Sequence, residues 1–216
     1  MFKQTALINW AGDGGETARA ALIERVAQGS GARLSRFAAA LPASHRGGDV
    51  VWHLHYDDEA AWAASGARAA LDALEADPLV ASVDAVGYAI ERLAVPEPGL
   101  ADGAYRALFL KVDEGTPPEI VTQFADDVAG MQDYIPEIVN WALNPTRMTR
   151  GEVAWTHVWE QEFADVGGLT GPYMTSAYHW AWVDRWFDPE MPCRIVDDGT
   201  LRHSASVLTT SVMADY

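Results

Sequence analysis

Tyr173 and His179 are the residues best suited to moving a proton next to a carbonyl group. A neutral imidazole, with an ordinary pKa of about 6.5, accepts a proton at cellular pH. A tyrosine hydroxyl, with an ordinary pKa of about 10, stays protonated and donates a hydrogen bond to a carbonyl oxygen as it becomes an enolate. On one uninterrupted helix the spacing Tyr173-Met174-Thr175-Ser176-Ala177-Tyr178-His179 would turn the two side chains about 240° apart. A turn must intervene, and Thr175 and Ser176 are good helix caps. A helix starting near Ala177 would hold His179 in its first turn, where the positive end of the peptide dipoles lowers its pKa. The pair needs neither metal nor organic cofactor to abstract a proton and lead into making or breaking a carbon-carbon bond. His157 could orient either partner.

Around this pair the second half of the chain holds six of the nine tryptophans, Trp141, Trp155, Trp159, Trp180, Trp182 and Trp186. Large amphipathic rings suit a pocket for a flat or aromatic ligand, so Trp141, Trp155, Trp159, Tyr178, Trp182 and Phe109 are candidate substrate contacts. Trp180 and Trp182 lie two apart and cannot both face inward from one helix. His53 and His55 share one face of a strand, and two registers compete: one turns them toward a helix layer, the other into the space between the two halves. No third ligand follows them, so a polar cluster is expected rather than a metal site. Glu160 and Glu162 take the strand face opposite His157. Gly12-Asp13-Gly14-Gly15 reads as a turn, Cys193 as an inert thiol and His45 as solvated, while His203 on the last strand is only a minor candidate for the pocket.

The elements that must position these residues repeat. Thr5 to Trp10 (strand), Glu16 to Gln28 (helix), Leu34 to Ala40 and Val50 to Tyr56 (strands), Glu59 to Glu75 (helix) and Val80 to Leu93 (strand) form the first set. Tyr105 to Val112, Pro118 to Met131, Ile138 to Leu143, Glu152 to Phe163, a helical region from Tyr173 to Phe187, and Arg194 to Thr210 form the second. Both read β-α-β-β-α-β, the ferredoxin-like order, and the open face of one sheet needs the other as partner. The expected fold is α+β: two ferredoxin-like repeats forming a dimeric α+β barrel inside one chain. Residues 1–95 make a scaffold-like repeat, 96–103 a Pro- and Gly-rich linker, and 104–216 the repeat with the candidate active site.

Composition narrows the partners. Fifteen basic against 31 acidic side chains give a formal net charge of −16, the sign of nucleic acid and anionic lipid, so binding through phosphates is disfavoured. No apolar run approaches the ~18–20 residues of a membrane span. One cysteine and no evident export signal lead to the expectation of a cytoplasmic protein.

Tyr105-Arg106-Ala107-Leu108-Phe109-Leu110-Lys111-Val112, the acidic turn Asp113-Glu114-Gly115-Thr116, Ile135-Pro136-Glu137-Ile138, Trp155-Thr156-His157-Val158 and Phe163 together resemble the stress-responsive A/B barrel family, a branch of the dimeric α+β barrels. The resemblance spans nearly all of residues 104 to 212 and is faint in the first half. Plant polyketide cyclases of this family use a strand-three histidine and a Tyr-x5-His pair, matched here by His157, Tyr173 and His179. The family's His-Pro-x-His segment is Ser176-Ala177-Tyr178-His179 in this chain. The resemblance implies a cyclase- or lyase-type enzyme without cofactor, acting on a small hydrophobic, aromatic or polyketide-like carbonyl compound. It also admits a cofactor-free or haem-dependent monooxygenase, or a non-catalytic stress or ligand-binding protein, and a homodimer of such pseudo-dimers.

Overall fold

The computed structural model describes residues 1–12 and 14–216; Asp13, within the expected Gly12–Gly15 turn, lies outside the described residues. In the first half β1 (Phe2–Trp10), α1 (Glu16–Gly29), β2 (Leu34–Ala39), β3 (Val50–Tyr56), α2 (Glu59–Ala64), α3 (Ala67–Glu75) and β4 (Val80–Ala89) follow one another. Then come β5 (Leu93–Ala94), β6 (Ala101–Leu110), α4 (Pro118–Ala129), β7 (Ile138–Pro145), β8 (Met148–Arg150), β9 (His157–Phe163), α5 (Val166–Thr170), α6 (Pro172–Thr175) and β10 (Arg202–Thr210). The sheets run β2-β3-β1-β4-β8 and β10-β6-β9-β7-β5, antiparallel throughout. Both contain the ferredoxin-like order in which the first strand lies between the third and the fourth. The fold is α+β, two such units with their sheets face to face. Each sheet also takes an edge strand from across the chain midpoint, β8 beside β4 and β5 beside β7. The Pro-rich stretch expected as a linker over 96–103 is shorter, because β6 begins at Ala101, which pairs with Thr210.

Alternation assigns the faces. Along β9, Trp159 and Phe163 join the core under the helices, while Val158 joins the core between the sheets. In the first half α1, α2 and α3 fill the helix side with Leu22, Val26, Trp62, Leu71 and Leu74. The single helix expected over Glu59 to Glu75 is two, broken at Ser65-Gly66. A side chain at Gly66 would put its Cβ 1.9 Å from the Gly29 carbonyl oxygen, so only glycine lets the end of α1 meet the start of α3.

Between the sheets lies a core of Leu7, Val51, Val86, Phe109 and Val158 with polar groups built into it. Lys3 and Glu160, both fully buried, form an ion pair, and the Tyr105 hydroxyl donates to Glu160 Oε1 at 2.6 Å. Asn140 and Ser211 donate to Glu162, each at 2.7 Å. Phe2 pairs with Tyr56 and Ala104 with Phe163, which aligns Tyr56 with Phe163 and turns His53 and His55 into this interior. Among the described residues no group of three His, Cys, Asp or Glu side chains is placed to hold a metal ion. No helix is long and apolar enough to cross a membrane among the described residues.

Three sequence expectations fail here. The strand expected from Glu152 begins only at His157, so Trp155 escapes the alternation and packs between the sheets, 5.8 Å from the Phe109 ring. Phe109 itself faces that interior, since Arg106, Leu108 and Leu110 take the helix side of β6. The last strand begins at Arg202 rather than Arg194.

Candidate functional site

The helix side of the second sheet is hollow. α6 begins at Pro172 and buries Tyr173; the chain then leaves the helix at Ser176, whose φ of −63° and ψ of 127° are extended. It re-enters at Ala177 and widens into a π-helical turn over His179–Val183. The His179 amide donates to Ser176 Oγ at 3.5 Å, the cap that the sequence suggested. This break brings the two side chains together, with the Tyr173 and His179 ring centroids 4.8 Å apart.

Beneath them β6 supplies Arg106, whose Nη1 donates to the Tyr173 hydroxyl oxygen at 2.9 Å and to Gln161 Oε1 at 2.5 Å. Its Nη2 lies 3.0 Å from His203 Nδ1, which must be the acceptor because a guanidinium only donates. Arg106 is 5% exposed, and no carboxylate among the described residues comes within ion-pair distance of it. A buried cation held only by neutral groups is costly unless something else balances it.

That charge sets the protonation of its neighbours. Burial raises the Tyr173 pKa and Arg106 opposes the rise, so the phenol keeps its proton; its oxygen accepts from Arg106, leaving that proton to be donated elsewhere. Burial, then Arg106, lowers His179 to about 4. The same two causes, with His45 and His179, lower His203 to about 2. The sequence attributed a lowered His179 pKa to a helix end; desolvation and the guanidinium are the causes in the structure. His179 Nδ1 is buried without a hydrogen-bond partner, and Nε2 stands 3.6 Å from Asp184 Oδ1.

Arg106, Tyr173 and His179 wall a cavity of about 470 Å³ that also meets apolar Leu108, Met131 and Trp159. A neighbouring hollow of about 420 Å³, reaching His45 and Met174, shares the same three side chains and His203. Asp184, Asp188 and Asp198 also line the first cavity. Three carboxyl groups oppose the two propionates of a haem, and these residues do not fit that group.

Of the aromatic contacts expected from sequence, only Trp159 lines this cavity. Trp141 sits behind it, ring centroids 5.4 Å apart. Tyr178 stacks on Tyr134 at 4.3 Å and donates to the Asp127 carbonyl, and Trp182 is 47% exposed. Trp180 and Trp182, both within the π-helical turn, are both exposed. Trp155 and Phe109 are on the far side of the sheet. His157 shares the Trp159 face of β9 but lies outside the cavity, against the Phe124 ring at 6.0 Å and with Nδ1 2.9 Å from Thr156 Oγ1. Arg106 and Gln161 were not anticipated; the signal was a charge inside the apolar strand Tyr105-Arg106-Ala107-Leu108-Phe109-Leu110.

Residues 104–200 match the sequence profile of the stress responsive A/B barrel domain. The second half belongs to that family. No curated protein sequence matches the chain. Among solved structures it is similar to an anthrone oxidase-like protein (TM-score 0.64, 10% identity, 96% of this chain and 90% of that one). It is also similar to a chlorite dismutase from Candidatus Nitrospira defluvii (0.56, 11%, 95% and 90%) and to a major regulator of staphylococcal pathogenesis (0.50, 10%, 97% and 99%). At these identities the likeness is one of fold, and a fold shared by an oxidase-like protein, a dismutase and a regulator leaves function to the site. Within the stress responsive A/B barrel half, that site is the Arg106-Tyr173-His179 cavity.

Proposed function

We propose that the protein is a cytoplasmic, cofactor-independent acid-base enzyme of cyclase or carbon-carbon lyase type, acting on a small hydrophobic aromatic or polyketide-like carbonyl compound. The observation that carries this reading is Arg106, a buried guanidinium with no counter-ion among the described residues, which polarises the Tyr173 hydroxyl at 2.9 Å beside a neutral histidine. A fixed cation and a proton-bearing phenol supply what an oxygen gaining negative charge needs, and they do so without reorganising. Asp184 behind Nε2 favours the tautomer that leaves the Nδ1 lone pair of His179 free. His179 takes a proton from the carbon beside the carbonyl, the electron pair moves onto the carbonyl oxygen held by Tyr173, and the enolate carbon attacks a second carbonyl or, in reverse, releases one. A base held near 4 is weak, so the chemistry favours a carbon doubly activated between two carbonyls, as in a polyketide chain.

Turnover of short β-polyketone probes tests this. His179→Ala should lower kcat/KM by about 10²–10⁴-fold and Tyr173→Phe by about 10²–10³-fold, with unchanged thermal unfolding. Wild-type rates in both variants would end the reading. The monooxygenase alternative shares the deprotonation step but consumes dioxygen, so an oxygen electrode separates the two. Binding of the probe without turnover would instead favour a ligand-binding protein.

A further inference from the structure

A further cavity lies away from the Arg106 site, at the seam where β2 and β10, the edge strands of the two sheets, meet. β2 and β10 are joined there by an isolated bridge, Ala40 to Ser206, with the Leu41 amide donating to the Ala205 carbonyl at 2.7 Å. Beyond that bridge the strands part. Instead of ladder hydrogen bonds, the Arg36 side chain spans the gap, its Nη1 donating to the Thr210 carbonyl at 2.6 Å. The opened seam encloses a cavity of about 470 Å³ lined by Arg36, His53, Tyr105, Ser206, Leu208 and Val212, among others.

Its polar lining is built and unsatisfied. His53 is 1% exposed and Ser206 fully buried, yet His53 Nδ1 and Ser206 Oγ have no hydrogen-bond partner. Buried polar atoms are almost always paired, so two orphans in one cavity point to a missing ligand. Arg36 spends Nη1 on backbone carbonyls and has no carboxylate partner among the described residues, which leaves Nη2 and Nε for a planar anion. The local field agrees: burial lowers the His53 pKa most, and Lys3, His55 and Arg36 lower it further. The carboxylates bonded to its lining residues are already engaged, Glu160 by Lys3 and the Tyr105 hydroxyl, Glu162 by Asn140, Ser211 and the Val212 amide. In a chain of net charge −16 this cavity is a cationic exception.

We propose that the seam between β2 and β10 is a binding site for a small organic monocarboxylate, its carboxylate held by Arg36, Ser206 and His53 and its apolar part against Leu208 and Val212. The site is separate from the Arg106 cavity and stands whether or not that cavity is catalytic. A volume in the ordinary ligand range fits a single ring or a short acyl chain.

Calorimetric titration of the full chain with benzoate tests it, with benzamide as the uncharged isostere. Saturable benzoate binding with a Kd on the order of 0.1–1 mM is expected, weakened at least about tenfold in Arg36→Gln and for benzamide. Ser206→Ala, a smaller change in the same cavity, should weaken it about threefold to tenfold, which covers misfolding of the arginine variant. Tyr173→Phe, in the other cavity, should leave benzoate affinity unchanged. No saturable binding, equal affinity for benzamide, wild-type affinity in a folded Arg36→Gln, or loss of binding in Tyr173→Phe would each overturn the proposal.

Discussion

The helix-covered faces of the two sheets have the same strand order and opposite contents. Register aligns Gln4 of β1 with Arg106 of β6. Gln4 accepts a hydrogen bond from Trp62 Nε1 at 2.9 Å, and Trp62, 3% exposed, fills the space above it with its ring 4.9 Å from Phe2. The Tyr173 ring, 4.9 Å from the Arg106 guanidinium, does not fill the space above it and leaves a cavity of about 470 Å³. The cause is in the crossover segments. Glu59 to Glu75 is rich in alanine and makes two helices that pack on the sheet, whereas Val166-Gly167-Gly168-Leu169-Thr170-Gly171-Pro172 sustains only the five-residue α5. A short helix, a break and a π-helical turn stand off the second sheet and leave room for a ligand. The same frame is a solid core in one half and a vessel in the other, according to how well its second crossover fills it.

Removing the filler should therefore hurt the first half far more than the second. Trp62→Ala is expected to destabilise the protein by about 3–5 kcal/mol in denaturant unfolding, while kcat/KM per folded molecule stays at the wild-type value. A stability loss below about 1 kcal/mol would mean that the first half is as loosely filled as the second.

The reciprocal change makes the second face resemble the first by taking away its charge. Arg106→Leu should cost about 10²–10³-fold in kcat/KM. The thermal midpoint should hold within a few degrees, because the variant loses three hydrogen bonds but also a buried cation that has no counter-ion among the described residues. Collapse of the fold in this variant would make Arg106 a structural residue and weaken the functional reading.

How much of this contrast the sequence discloses depends on whether a residue's place follows from its own strand or helix. Val50 to Tyr56 is found in the structure as expected, and so is the β-α-β-β-α-β order, since alternation and helical period are local. The Tyr173 and His179 approach was also legible, from a spacing that no single helix satisfies and a serine placed to break it. The tryptophans were not. Whether an indole meets the cavity depends on where β9 starts and how far the π-helical turn rotates, and both are set by partners distant in sequence. Arg106 was visible only as an anomaly, because its meaning rests on its burial and on having no carboxylate partner among the described residues, which only three dimensions reveal.

Acid distinguishes the two regions more gently. His157 and His179 in the second half are lowered to about 4, and His55 between the sheets and His203 beside Arg106 to about 2, burial being the largest cause in each. In the unfolded chain all four would protonate near pH 6.5, so below that pH the unfolded state binds more protons and stability falls. The loss continues to about pH 4, where His157 and His179 begin to protonate in the folded state as well. Each fully shielded histidine contributes a slope of up to about 1.4 kcal/mol per pH unit. Urea midpoints at pH 7, 6 and 5 should decline accordingly, and His55→Gln should make the decline shallower; a midpoint constant from pH 7 to pH 5 would contradict the burial of these rings. Turnover should hold level over the same range, because the free-enzyme base titrates near 4.

The smallest effect is expected at His157, which the sequence grouped with Tyr173 and His179. It lies on the same sheet face, yet the Phe124 ring packs edge-on against it and its Nδ1 faces Thr156 Oγ1 at 2.9 Å, not the cavity. His157→Gln keeps a polar group near the threonine and leaves Arg106, Tyr173 and His179 untouched, so kcat/KM should stay within about threefold of wild type. The outcome bears on the comparison of the two halves. A loss beyond about tenfold at unchanged stability would mean that the reactive region extends along β9 past Phe124, and the hollow would then be larger than the space the helices leave open.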